Sequence, residues 1–205
     1  MKHYQKFTFI FLLIFNSLIS NLFSQDLKNE MFFNRNSIDY QFKPNSAIEK
    51  LFNKNSSDSV QIVLKNESDS VFSIFIKSNL NKILKLRPQD SSLYLIQEAI
   101  DMNGKWSPIE FWAYSDCGNS YEKFLDFNPK QILRITTEKY NGSYKTKVRI
   151  KLLMDNKNYY SNAISANINY SKFKKSDWYE KVKEIFYSKK TEKEADDKLF
   201  LNPNL

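Results

Sequence analysis

The sequence predicts an all-β protein, an antiparallel β-sandwich of seven to nine strands followed by a C-terminal amphipathic helix. Three observations lead there. From Val60 onward, short runs alternate apolar and polar residues, the period of half-buried strands. Turn residues separate these runs with no helical period between them, which favours antiparallel neighbours over a parallel α/β sheet. After Tyr170 the apolar spacing becomes helical. A closed barrel is the alternative arrangement of the same strands.

Residues 1–24 read as a signal peptide. Lys2 and Lys6 precede the uncharged run Phe7 to Phe15, and Ser24 is a small residue at a suitable cleavage point. A retained anchor is the competing reading, because Phe7 to Phe23 approaches bilayer-spanning length, although Asn16, Ser17, Ser20 and Asn21 interrupt it. No cysteine near the cut supports lipid attachment. No later apolar run is long, so no membrane span is expected after cleavage. The expected destination is outside the cytoplasm, periplasmic or extracellular.

Residues 25–58 form a polar lead-in anchored by Phe32, Phe33, Tyr40 and Phe42 and broken at Pro44, able to contribute a strand. Residues 59–170 carry the sandwich. Val60, Ile62 and Leu64 share one face of its first strand, and Phe72, Ile74 and Ile76 one face of its second. Further runs are Lys82 to Leu86, Leu93 to Ile100, Ile109 to Tyr114, Tyr121 to Leu125 and Gln131 to Glu138, with turns at Arg87 to Asp90 and Asn103-Gly104. Asn141-Gly142 predicts a type I′ hairpin joining the run that ends at Glu138 to Ser143 to Met154. Asp155 to Asn158 then turns the chain into Tyr159 to Asn169. In residues 171–205, Trp178, Val182, Ile185 and Phe186 form one helical stripe, Ser176 or Asp177 can cap it, and the segment from Thr191 is a second short helix or a charged tail.

The strand spacing and the placement of aromatic residues from Val60 to Asn169 resemble an immunoglobulin-like sandwich, without that fold's pair of core cysteines. The heavy use of Lys, Asn, Ile, Phe, Tyr and Ser, with Gly scarce, resembles exported proteins of low-GC bacteria such as the Bacteroidota. These resemblances imply a scaffold and a setting, and no activity.

Composition bounds the chemistry. Cleavage would remove Lys2 and Lys6, so 31 basic and 23 acidic residues become 29 and 23, and the net charge falls from +8 to +6. About 180 residues suffice to bury one core without disulfides or metals. The only histidine, His3, leaves with the signal. Ser-His-Asp and Cys-His nucleophile pairs and histidine-ligated metal sites are therefore not expected, and a single cysteine makes no thiolate cage. No cofactor is expected. The basic excess is dispersed among carboxylates, so nucleic acid is not the expected partner.

Three constellations remain. Lys145, Lys147, Arg149 and Lys151 alternate with Thr146, Val148, Ile150 and Leu152, a cationic row with charges roughly 7 Å apart. It is either a solvated strand face or a contact for an anionic glycan or an envelope partner protein. Glu110, Trp112 and Tyr114 share a strand face. If open, the two rings would stack on sugars, as in a carbohydrate-binding module; if covered, Trp112 is a core residue. Glu98, Asp101, Glu110 and Asp116 offer carboxylates for a glycoside hydrolase, provided that two of them converge. Cys117, beside Asp116 in a loop, reads as an unpaired thiol able to pair between molecules. The expected function is that of an exported, non-catalytic binding or structural protein of the bacterial envelope, with the hydrolase as the alternative.

Overall fold

A computed structural model describes residues 30–53, 56–115, 117–121 and 124–203. The expected signal peptide, His3 within it, and Asp116 lie outside the described residues. In chain order the strands are β1 (Phe32–Phe33), β2 (Asn36–Ile38), β3 (Val60–Asn66), β4 (Val71–Ser78), β5 (Leu84–Leu86), β6 (Leu95–Ile100), β7 (Trp106–Pro108), β8 (Glu110–Phe111), β9 (Leu125–Phe127), β10 (Ile132–Glu138), β11 (Tyr144–Met154), β12 (Lys157–Tyr160) and β13 (Ile164–Ile168). The helices are α1 (Ser46–Glu49), α2 (Asp177–Tyr187) and α3 (Glu192–Leu199). Strand predominates over helix.

Nine strands form two larger antiparallel sheets. The first runs β2-β10-β4-β3, and the second runs β12-β11-β6-β7, with β13 on the N-terminal half of β11. Four more strands form two ribbons, β5 with β9 and, in parallel, β1 with β8, so the total exceeds the expected seven to nine. The alternation in β3 and β4 works as the sequence predicts. Ile62 lies opposite Ile76 and Leu64 opposite Ile74, and these side chains share one buried cluster with Leu95 and Ala99 of β6 and Val148, Ile150 and Leu152 of β11. Each such side chain contributes up to about 1.5–3 kcal/mol by leaving water, an upper bound because the unfolded chain already hides some surface.

The Asn-Gly pair does not make the expected hairpin. β10 and β11 belong to different sheets, and neither Asn141 nor Gly142 has positive φ. Gly142 serves close approach instead: a Cβ there would lie 2.2 Å from Asn169 N and 2.2 Å from Ile168 C at the end of β13. The tight hairpin is one connection later. Asp155 (φ 50°) and Asn156 (φ 56°) link the paired residues Met154 and Lys157, the left-handed backbone of a type I′ turn.

Segments on both sides of the main strand region pack into it. β2 forms an edge of the first sheet, while Phe42, Ile48 and Phe52 pack on Phe75 and Ile132 over its outer face. That cover explains why β4 is buried on both faces. Met31, Phe111, Tyr179, Val182 and Leu199 form a second core that seats α2 and α3 against β8. The inward face of α2 is therefore Tyr179, Val182 and Phe186. Trp178 and Ile185, expected on the buried stripe, are exposed. Ser176 caps α2, and a full capping box forms in α3, where Thr191 and Glu194 exchange hydrogen bonds. No helix among the described residues is long and apolar enough to cross a membrane.

The run Ile109 to Tyr114 departs from simple alternation. Ile109, Glu110, Phe111 and Trp112 are all buried. The main core covers Ile109, α2 covers Phe111, and the C-terminal Leu201 covers Trp112.

Candidate functional site

The outer face of the second sheet carries the predicted cationic row, and its surroundings grade from closed to open along β11. At the closed end, Leu153 packs with Ile96, Trp112 and Leu201. Next, Lys151 is buried, donates to Asn202 Oδ1 at 2.5 Å and sits 3.8 Å from Glu98 Oε1. Burial pushes its ammonium below the ordinary lysine value, and Glu98 opposes that shift. Lys151 is thus no surface contact, which corrects the expectation of four equivalent cations.

Arg149 is also engaged. Its Nε donates to Glu98 Oε2 at 2.8 Å, and a second guanidinium nitrogen lies 2.7 Å from the same oxygen. The guanidinium carbon sits 4.3 Å from the centre of the Trp106 ring and 4.1 Å from that of Tyr160. Cross-strand register builds this arrangement: Arg149 lies opposite Glu98, whose other neighbour is Pro108 on the short β7 strand that begins at Trp106. Such cation–π contacts contribute about 0.5–2 kcal/mol each. Lys145 and Lys147 at the far end are exposed. The open surface is therefore an aromatic–guanidinium–aromatic platform flanked by two free-standing lysine positions. Sequence reasoning missed Trp106 and Tyr160. Their signal was positional, one just after the Asn103-Gly104 turn and one at the end of the strand that follows Asp155-Asn156.

The Glu110–Trp112–Tyr114 set does not form an open sugar platform. Glu110 is wholly buried. Its carboxylate accepts from Asn34 Nδ2 (2.6 Å), Gln97 N (2.7 Å), Gln97 Nε2 (2.9 Å) and the Tyr140 hydroxyl (2.6 Å). It thereby occupies the place on β6 where a ladder partner would otherwise accept from Gln97 N. Asn34 and Asn36 extend the network to Leu93, and Gln97 extends it to the Glu138 carbonyl. Burial raises the Glu110 pKa above its ordinary value, while the hydrogen bonds from Tyr140, Asn34 and Gln97 N and the nearby Lys172 pull it back. Lys172 is itself buried, 3.8 Å from the Tyr140 ring centre. Trp112 is in the core, edge-on to Tyr94 at 5.0 Å, with its indole N–H unpartnered among the described residues. Tyr114 is half-buried beside Tyr94.

Among the described residues the remaining carboxylates are engaged separately. Gln97 and Glu98 are consecutive in β6 and point to opposite faces; Gln97 reaches Glu110 inside, and Glu98 reaches Arg149 outside. Asp101 is used up in the β6–β7 turn, accepting from Asn103 N at 2.8 Å and Lys105 N at 3.0 Å. Those hydrogen bonds hold its carboxyl below the usual range. Cys117 is a free, exposed thiol. Among the described residues no three His, Cys, Asp or Glu side chains cluster as a metal site. Comparison with protein-family models, with curated proteins and with solved structures finds no match to this chain.

Proposed function

We propose that this chain is an exported, non-catalytic binding protein of the bacterial envelope, built on an immunoglobulin-like sandwich and contacting an anionic glycan. The observation that carries this reading is the open end of the second sheet's outer face. Trp106 and Tyr160 flank Arg149 there, with Lys147 and Lys145 beyond it. Aromatic faces suit the apolar faces of sugar rings, and exposed ammonium groups suit carboxylate or sulfate substituents. Strand order supports the scaffold: β3-β4-β10 belongs to one sheet and β7-β6-β11-β12 to the other, and the chain changes sheet between β4 and β6, between β7 and β10 and between β10 and β11. Glu98 on β6 is held by Arg149 and Glu110 on β8 by four buried donors, and this separate engagement favours binding over carboxylate catalysis. Export rests on the basic and apolar pattern of residues 1–24.

Affinity electrophoresis tests it, with alginate as the polyuronate and dextran as the neutral control. The expected result is retardation in alginate alone, weakening as added salt screens the charges. A Lys145→Glu, Lys147→Glu double variant should reduce the affinity about tenfold, and Tyr160→Ala severalfold. Arg149 is unsuitable for reversal, because a carboxylate there would face Glu98. Equal mobility in both gels, or undiminished retardation of the double variant, overturns the reading.

A further inference from the structure

A second site lies at the C-terminal end of β11, beyond the stretch that pairs with Tyr160. The β5–β9 ribbon, the turn after β11 and the segment entering β6 border a half-open pocket of about 330 Å³. Its apolar lining comes from the buried side chains Ile76, Leu86, Leu93, Phe127, Leu152 and Met154. Three residues with polar groups of another kind join them: Arg87, Tyr94 and Tyr114.

These groups are uncommitted in different ways. Arg87 is exposed, its guanidinium 4.8 Å from the centre of the Tyr121 ring, and no carboxylate lies within ion-pair distance of it among the described residues. Neither the Tyr94 nor the Tyr114 hydroxyl makes a hydrogen bond to a described residue. Lys85, also at the pocket, is already paired with Asp126, and Asp155 lies on the side formed by the β11–β12 turn. A half-open apolar pocket with one guanidinium outside any ion pair and two phenol donors matches a ligand with a hydrocarbon body and a single anionic head.

We propose that this pocket binds a single-chain acyl carboxylate, with the hydrocarbon against Leu86, Leu93 and Met154 and the carboxylate on Arg87, assisted by the two phenols. The volume is near the lower end for ligand pockets, and at about 30 Å³ per water-sized group it holds an acyl chain of about eight to ten carbons. An ammonium amphiphile would meet Arg87 and is disfavoured by charge.

Isothermal titration of the whole protein with hexanoate, octanoate, decanoate and dodecanoate, below their micellar concentrations, tests the proposal. Affinity should rise about fourfold per methylene, the fold-change for burying one, up to about decanoate, and then level off. Decanol should bind more weakly than decanoate, and decylamine more weakly still. Arg87 is exposed, so Arg87→Glu should leave the thermal unfolding midpoint in place while weakening decanoate about tenfold and sparing decanol. Tyr94→Phe, which keeps the ring, should weaken decanoate severalfold. Absence of decanoate binding, affinity independent of chain length, decylamine binding as well as decanoate, or an Arg87→Glu variant of unchanged decanoate affinity each overturns the assignment.

Discussion

Removing the Glu110 side chain tests how the two sheets are joined. Four donors converge on this carboxylate from three places: Asn34 before β2, both polar groups of Gln97 on β6, and Tyr140 in the β10–β11 crossover. In Glu110→Ala, the Asn34 amide keeps Thr137 Oγ1 at 3.2 Å, and the Gln97 amide keeps the Glu138 carbonyl at 2.7 Å. Gln97 N and the Tyr140 hydroxyl are left with no acceptor. A buried unsatisfied donor costs about 1–3 kcal/mol, so the two together predict a loss of about 4 kcal/mol. Urea unfolding followed by tryptophan fluorescence measures it, with Glu110→Gln as the isosteric control. The pH dependence supplies a separate check. Burial raises the folded pKa above the ordinary 4.5, so this group's contribution is fully present below that value and is lost as pH rises through the raised one. The stability of the native protein relative to Glu110→Gln should therefore fall as pH rises above 4.5. A loss below about 1 kcal/mol in Glu110→Ala, or a relative stability that rises with pH, refutes the reasoning.

Two other perturbations follow from local geometry. Gly142→Ala drives a Cβ into the backbone of Ile168 and Asn169 and should cost about 3 kcal/mol. Gly104→Ala meets no atom within 4 Å and strains only φ at +74°, costing about 1 kcal/mol; equal losses in chemical denaturation contradict the close-approach account. Glu192, bridging Lys175 and Lys183, has its carboxyl lowered to about 2 by hydrogen bonds from both ammonium groups. Its stabilising contribution is therefore present above pH 4.5 and disappears as pH falls through about 2. An NMR titration placing the Glu192 carboxyl at an ordinary value rules out this ion-pair bridge.

Some of this architecture is legible from residues alone, and particular cases show the limit. Val60, Ile62 and Leu64 alternate because a half-buried strand has period two, and no knowledge of the partner is needed to see which face is apolar. Asn141-Gly142 misled because the same dipeptide that suits positive φ also suits backbone-to-backbone approach, and only the position of β13 distinguishes the two. The Glu110 network was invisible because Asn34, Gln97 and Tyr140 are far from Glu110 in sequence, and nothing local to any of them records the others. On α2 the sequence locates Val182 and Phe186 on the inward face but not Tyr179, and it places Trp178 and Ile185 there although they are exposed, since the inward face depends on where Met31 and Phe111 lie.

The sequence by itself determined the predominance of strand, the outward register of Lys145, Lys147, Arg149 and Lys151, and the scarcity of histidine and cysteine, because periodicity and composition are properties of the chain alone. The tertiary structure decided which of those cations stay available. β6 brings Glu98 beside Arg149, and the C-terminal segment brings Asn202 onto Lys151. A side chain's charge is set by its chemistry, but its availability to a ligand is set by what the fold places beside it.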